Sequence, residues 1–207
     1  RLPEQLPVLV AGLGNREVTP DAIGPVTADH ILVTRHMLKA MPRQFGQFRP
    51  VSALVPGVLG TTGVESAETV RAVTERTGAA AVIAVDAIAA RDTARLCSTV
   101  QLSDTGIAPG SGVGNHRSAL DRETLGVPVI ALGVPTVTDA ATLALDLMEE
   151  AGISAAEERL RRVAGNMIVT SGDIDRRVRE ISRVLAYGIN YALQRELTLE
   201  DLTDLTF

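Results

Sequence analysis

Tryptophan is absent from this chain, and only two tyrosines and three phenylalanines stand among its 207 residues. A core without bulky rings has to be built from Ala, Val, Leu and Ile, which suits a parallel sheet covered by helices. Cysteine is almost missing as well: Cys97 is the single one. That excludes an intrachain disulfide and a cysteine zinc cluster. No apolar stretch approaches the length of a membrane span, so no membrane partner is expected. Nor is positive charge in excess. Twenty basic against 25 acidic residues leave a net charge of -5, which argues against direct nucleic-acid binding. The opening Arg1-Leu2-Pro3-Glu4-Gln5 has no basic region ahead of a long apolar one. No signal peptide is read there, and a cytoplasmic location is the expectation. A start at Arg rather than Met is expected of a processed or trimmed product.

What is present is a chain 45% apolar, long enough for one domain with a sizeable core. Short apolar runs alternate with helical stretches, the signature of an α/β fold. Strands are predicted at Val8-Ala11, Val51-Val55, Ala81-Val85, Thr99-Leu102 and Val127-Leu132. The last three have the Ala, Val and Ile content or β-branching of strands covered on both faces. Helices are predicted from Asp21 to Lys39, Glu65 to Thr77, Asp139 to Glu150 and Ile174 to Gln194. In the last, Ile174, Val178, Ile181, Leu185, Ile189 and Ala192 recur at helical spacing after Asp173, a candidate N-cap. Thr62 and Glu65 form a candidate capping box. Gly152 to Arg162 reads as a charged connection with some helical character. The domain is read as residues 1–196, followed by an acidic tail, 197–207, with scattered leucines.

Two aspartates carry most of the chemical information. Asp21 lies in Gly12-Leu13-Gly14-Asn15-Arg16-Glu17-Val18-Thr19-Pro20-Asp21, just after the run Val8-Leu9-Val10-Ala11. Asp86 ends the run Ala79-Ala80-Ala81-Val82-Ile83-Ala84-Val85. Open α/β sheets bind ligands beyond the carboxyl ends of their strands. Two carboxylates brought to that edge can share a water and do acid–base work on an amide. The alternative for Asp21 is a helix cap or first-turn acid after Pro20. For Asp86 it is an aspartate bonded to neighbouring amides at a strand end, against which stands the cost of burying a carboxylate after six small apolar residues.

Other motifs are weaker. Gly12-Leu13-Gly14 lacks the third glycine of a dinucleotide fingerprint, and Asp21 would repel a phosphate. Asp104-Thr105-Gly106 matches the active tripeptide of pepsin-like proteases, but in a chain without their all-β pattern. The glycines that follow, through Gly114, suit either a loop whose amides approach a substrate or a turn-rich crossover. His30, His36 and His116 do not fall at metal-ligand spacing. Ser111 has no His partner and Cys97 no evident activation, so a nucleophilic mechanism is not supported. Arg35, Arg49 and Arg91 either orient substrate or are solvated.

Together these segments resemble the germination protease family, spore endopeptidases that degrade small acid-soluble spore proteins. The resemblance is carried by Gly12-Leu13-Gly14-Asn15, Val18-Thr19-Pro20-Asp21-Ala22, Leu32-Val33-Thr34-Arg35-His36, Arg49-Pro50-Val51-Ser52-Ala53 and Pro56-Gly57-Val58. It continues through Asp86-Ala87, Ala89-Ala90-Arg91, Ser103-Asp104-Thr105-Gly106-Ile107, Gly114-Asn115 and Thr124-Leu125-Gly126-Val127-Pro128-Val129-Ile130-Ala131. Gly133-Val134-Pro135-Thr136-Val137, Asn166-Met167-Ile168-Val169-Thr170 and Ile189-Asn190 extend it over nearly the whole chain.

The resemblance implies an α/β fold, a mostly parallel sheet flanked by helices, shared with the hydrogenase maturation endopeptidases. It implies an atypical aspartic-type endopeptidase made as a zymogen, active as a homo-oligomer in the spore core, with no cofactor. The family's catalytic aspartates fall on Asp21 and Asp86. The glycine-rich loops Pro56 to Gly63 and Gly106 to Asn115 are candidates for holding an extended peptide, with Gly57, Thr61, Thr62, Asp104, Gly110, Gly112 and Asn115 as substrate-binding candidates. In the hydrogenase maturation relatives acidic residues at the corresponding places bind nickel, which makes a nickel-dependent maturation peptidase one alternative. A non-catalytic binding protein on the same scaffold is another. Family members carry a substantial N-terminal region, with a removable pro-segment, before the first Gly-Leu-Gly-Asn strand. This chain begins almost at that strand, as expected of a fragment, a shortened variant or a processed piece. The acidic tail from Leu197 is additional, and His116 replaces a residue more often basic.

Overall fold

All five residues of strand β1, Val8–Gly12, are buried, because helices cover this strand on both faces. In the computed structural model, which describes residues 5–110, 117–154 and 156–206, β1 is flanked by β2, Val51–Leu54, and β3, Ala81–Ala89. Beyond β3 lie β5, Val129–Asp139, and the edge strand β4, Gln101–Ser103. The order is β2-β1-β3-β5-β4, with β6, Ile168–Val169, pairing the end of β5. β2, β1, β3 and β5 are mutually parallel; β4 and β6 run antiparallel to β5. The mostly parallel α/β sheet expected from the sequence is therefore what forms.

Strand alternation sorts the core into two layers. Val8, Val10, Ile83, Val85 and Val134 meet Ile23 of α1, Ile23–Asp29, and Val178, Leu185 and Ile189 of α9, Ile174–Leu193. Leu9, Ala11, Val82, Ala84 and Val129 meet Val70 of α5, Ser66–Thr77, and Leu125 of α6, Arg122–Leu125. The remaining helices are α2, Arg35–Ala40; α3, Pro42–Phe45; α4, Leu59–Thr62; α7, Ala140–Glu150; α8, Glu157–Ala164; and α10, Leu199–Thr206. Leu202 of α10 is fully buried. No helix among the described residues is long and apolar enough to cross a membrane.

Several local expectations are corrected. The helix predicted from Asp21 to Lys39 is broken: a 3-10 turn at Thr19–Asp21, then α1, then α2 from Arg35. The break is held from far away. The Asn190 side chain donates to the His30 carbonyl and accepts from the Leu32 amide, both at 2.9 Å. The Thr34 hydroxyl donates to the Arg49 carbonyl and accepts from the Val51 amide, stitching the segment to β2. Asn190→Ala removes both amide bonds from a buried site and is expected to cost about 1–3 kcal/mol. Urea denaturation reads this as a lower midpoint at unchanged slope; an unmoved midpoint would contradict it.

Thr62 and Glu65 do not form a capping box. Glu65 holds the N-cap position of α5 without a side-chain cap, and the Thr62 hydroxyl bonds the Val58 carbonyl instead, at 3.1 Å. The capping box in the structure joins Asp121 and Thr124 at α6. Asp173 is the N-cap of α9 by position, but its carboxylate serves Ser171, Arg176 and Arg177. The strand predicted at Thr99-Leu102 is an edge rather than a covered strand, with Leu102 74% exposed. β3 and β5 both run several residues past their predicted ends, because they go on pairing with each other after β1 stops.

Candidate active site

That overrun creates the site. Gly12, the last residue of β1, pairs with Val85. Asp86 is thus the first residue of β3 beyond its neighbour's end, opposite Gly133 of β5. By strand alternation it shares the face of Val82 and Ala84. The order of strands reverses about β1, and such a reversal is where α/β sheets open a crevice.

The chain leaving β1 delivers Asp21 to the same place. The Leu13 amide donates to the Val85 carbonyl at 2.8 Å, and Gly14 then takes a φ of +110°. A Cβ at Gly14 would lie 2.1 Å from the Asp21 carbonyl oxygen, so only glycine permits this return. Asp21 closes the 3-10 turn, and its carboxylate accepts from the Asn15 amide at 2.7 Å. It is therefore a loop clasp rather than a side-chain helix cap.

The two carboxyl groups sit in different surroundings. Asp86 is 2% exposed, and among the described residues its one charge-stabilising bond comes from the Ala87 amide at 3.0 Å. Burial, reinforced by the negative charge of Asp21, pushes its pKa up to about 8. Asp21 is half-buried; desolvation raises its pKa, and the Asn15 amide pulls against that rise. Burial therefore favours the protonated form of the Asp86 carboxyl near neutral pH.

A cavity of about 540 Å³ opens over both groups. Gly14, Asn15 and Asp21 form one part of its lining, and Asp86 to Ala89 another. Val58, Leu59 and Gly60 line it from the first glycine-rich loop, and Ala108, Pro109 and Gly110 from the second. Of the substrate-binding candidates, Gly110 lines the cavity. Gly57, Thr61, Thr62 and Asp104 are not among the lining residues. The Thr61 and Thr62 hydroxyls donate to the Val58 carbonyl, and the Gly57 carbonyl accepts from Ser66. Gly112 and Asn115, with Ser111 and His116, lie outside the described residues. Asp104-Thr105-Gly106 is an exposed turn whose glycine passes against the Leu120 carbonyl.

The lining also contains residues that sequence reasoning did not single out. Glu65 and Arg117 form a partly buried ion pair, 3.8 Å apart, and both face the cavity. Thr136 of β5 lines it too, beside Val137 and Ile168. Arg35, Arg49 and Arg91 do not. Among the described residues no group of three or more His, Cys, Asp and Glu stands together to hold a metal. Among the described residues Asp21 and Asp86 have no third such ligand beside them, so these residues alone do not make the nickel site implied by the hydrogenase maturation resemblance.

Comparison with known proteins bears on the whole chain. The profile of the germination protease family matches residues 2–151. The germination protease of Clostridium perfringens is 43% identical over 227 residues, covering 97% of this chain and 70% of its own. That of Caldanaerobacter subterraneus is 45% identical over 224 residues, covering 96% and 69%. That of Bacillus mycoides reaches 54% over 142 residues, 68% of this chain and 39% of its own. A solved [NiFe] hydrogenase maturation protease, HycI from Thermococcus kodakarensis, superposes with a TM-score of 0.45 and 18% identity over 87% of this chain. The profile and the relatives that match nearly all of this chain agree: the chain belongs to the germination protease family, and so to the protein-cleaving hydrolases.

Proposed function

We propose that this protein is an endopeptidase that cuts small acid-soluble spore proteins with Asp21 and Asp86 as a pair sharing one proton. The observation that carries this reading is the buried Asp86 carboxyl, its pKa lifted to about 8, beside the more solvated Asp21 in one cavity. Ionised Asp21 takes a proton from a water as the water oxygen bonds to the peptide carbonyl carbon. Asp86 gives its proton to the departing amine as the carbon–nitrogen bond breaks. Asp21 then carries a proton and Asp86 a charge, and moving one proton between them restores the start. The backbone of Val58 to Gly60 and Ala108 to Gly110 would hold an extended peptide, with Gly57, Thr61, Thr62 and Asp104 flanking these walls. Gly112 and Asn115 are proposed to bind the peptide as well. The reading includes zymogen control and assembly as a homo-oligomer in the spore core.

Incubation with a small acid-soluble spore protein and mass mapping of the products tests the activity; discrete cuts are expected, and an intact substrate would count against it. The pH profile tests the pair. kcat/KM is expected to rise on an acid limb set by Asp21, shifted up from an ordinary carboxylate by desolvation, and to fall through an alkaline limb near pH 8 as Asp86 loses its proton. Rates that stay flat to about pH 10 would rule out a protonated carboxyl as the acid.

A further inference from the structure

We propose that Thr136 is a substrate-binding residue, its hydroxyl donating to a carbonyl oxygen of the peptide held against the two aspartates. The inference rests on the carboxyl-pair reading above for what occupies the cavity. Its own basis is independent. Thr136 is 1% exposed, and its hydroxyl oxygen has no hydrogen-bond partner among the described residues. Buried hydroxyls are nearly always bonded, and leaving one unbonded costs about 1–3 kcal/mol. The neighbouring threonine on the same strand follows that rule: Thr138 donates to the Ala90 carbonyl at 3.1 Å.

The position is unusual in a second way. In the β3–β5 ladder Ile88 pairs with Pro135 and Ala89 with Val137, so Thr136 is the extra residue of a bulge. Bulges re-aim a side chain at the cost of ladder pairing, and they cluster beside active sites. Gly133 of β5 pairs with Asp86, Thr136 lies three residues beyond it, and Thr136 lines the same cavity. Its main chain is fixed from behind, where the carbonyl accepts from the Thr170 hydroxyl at 2.6 Å. Valine has the same shape, occupies both Val134 and Val137, and would fill the site without an unbonded oxygen. A hydroxyl held there is matched to an incoming acceptor, and an extended peptide offers carbonyl oxygens at regular intervals.

Thr136→Val and Thr136→Ser separate binding from packing. With a small acid-soluble spore protein as substrate, the valine variant is expected to lose about tenfold in kcat/KM, mainly through KM, and the serine variant to stay within about threefold of the parent. The denaturation midpoint of the valine variant is expected to hold or rise, because the free protein loses no bond. Affinity is read separately without turnover: Asp86→Asn/Thr136→Val is expected to bind the same substrate about tenfold more weakly than Asp86→Asn alone. Equal affinity and equal kcat/KM would overturn the assignment, as would a lowered midpoint with unchanged affinity, which would make the hydroxyl part of the free fold. If Asp86→Asn itself cleaves at the parent rate, the carboxyl-pair reading fails, and the affinity comparison, made then with Thr136→Val against the parent, still decides on Thr136.

Discussion

Asp86→Asn is expected to cleave about a thousandfold more slowly than the parent protein, or slower still, and yet to be harder to unfold. The rate loss follows from removing a general acid, which contributes a factor of about 10²–10⁴. An amide keeps the size of the carboxyl group but has no proton to give the leaving amine. The gain in stability follows from where Asp86 sits. An unfolded aspartate releases its proton near pH 4, whereas in the fold this one keeps it to about 8. Below about pH 4 both states are protonated, and the neutral carboxyl imposes no ionisation cost on the fold. As the pH rises from about 4 to 8 the unfolded state alone ionises, and stability drains away until the folded group ionises too. Asparagine does not titrate, so the variant's advantage should widen across that window and reach a few kcal/mol near pH 8. Paired denaturation curves at pH 5 and pH 8, with a cleavage assay on the same samples, test both halves. Turnover within threefold of the parent would take Asp86 out of the chemistry. A stability difference that does not change with pH would mean that the fold does not hold the proton.

Gly24→Ala should do the reverse and damage the fold itself. A Cβ at Gly24 would stand 2.2 Å from the Leu13 oxygen, 2.4 Å from the Leu13 nitrogen and 2.5 Å from the Val85 oxygen. All three are main-chain atoms, and the Leu13 amide and Val85 carbonyl are themselves bonded to each other. No rotamer relieves such a contact. Either α1 lifts off the sheet or the bond between β3 and the chain leaving β1 is broken. Gly12 closes the other route, since its own Cβ would fall 2.2 Å from the Gly24 oxygen. Overpacking a core costs about 1–3 kcal/mol even where side chains can yield; against main chain the expectation is about 3 kcal/mol or more. In a chain of this length that is a fall of roughly 6–12 °C in Tm. Any molecules that still fold carry Asp21, three residues earlier, displaced from Asp86, so activity per folded molecule should drop as well. A Tm within about a degree of the parent would refute the close approach.

The contrast between these two positions explains what could be read beforehand. Asp86 was legible because a carboxylate after a run of small apolar residues is costly, and cost marks purpose. The parallel sheet was legible because its strands are short, apolar and poor in rings. The break at residues 30–34 was not, since the amide that holds it belongs to Asn190, about 160 positions on. Thr136 was hidden for a similar reason. In sequence it is one β-branched residue among others, and only the register slip against β3 makes it an extra one. Glu65 and Arg117 are ordinary charged residues until α5 and the chain before α6 bring them to one cavity.

The bonds made by α9 and by Gln194, which follows it, also say when this protein can finish folding. Ser182 donates to the Ile23 carbonyl, Asn190 holds His30 and Leu32, and Gln194 serves both the amide and the carbonyl of Arg49. These contacts close loops of 145 to 160 residues. During translation the strands and α1 leave the ribosome long before α9 does. Until then Val8, Val10, Ile83 and Val85 form a sheet face bare of the helix that covers it. Such a delay slows folding and exposes apolar surface to other chains. A nascent chain stalled before residue 174 should therefore be a stronger client of chaperones, and a better target for proteases, than one stalled after residue 194.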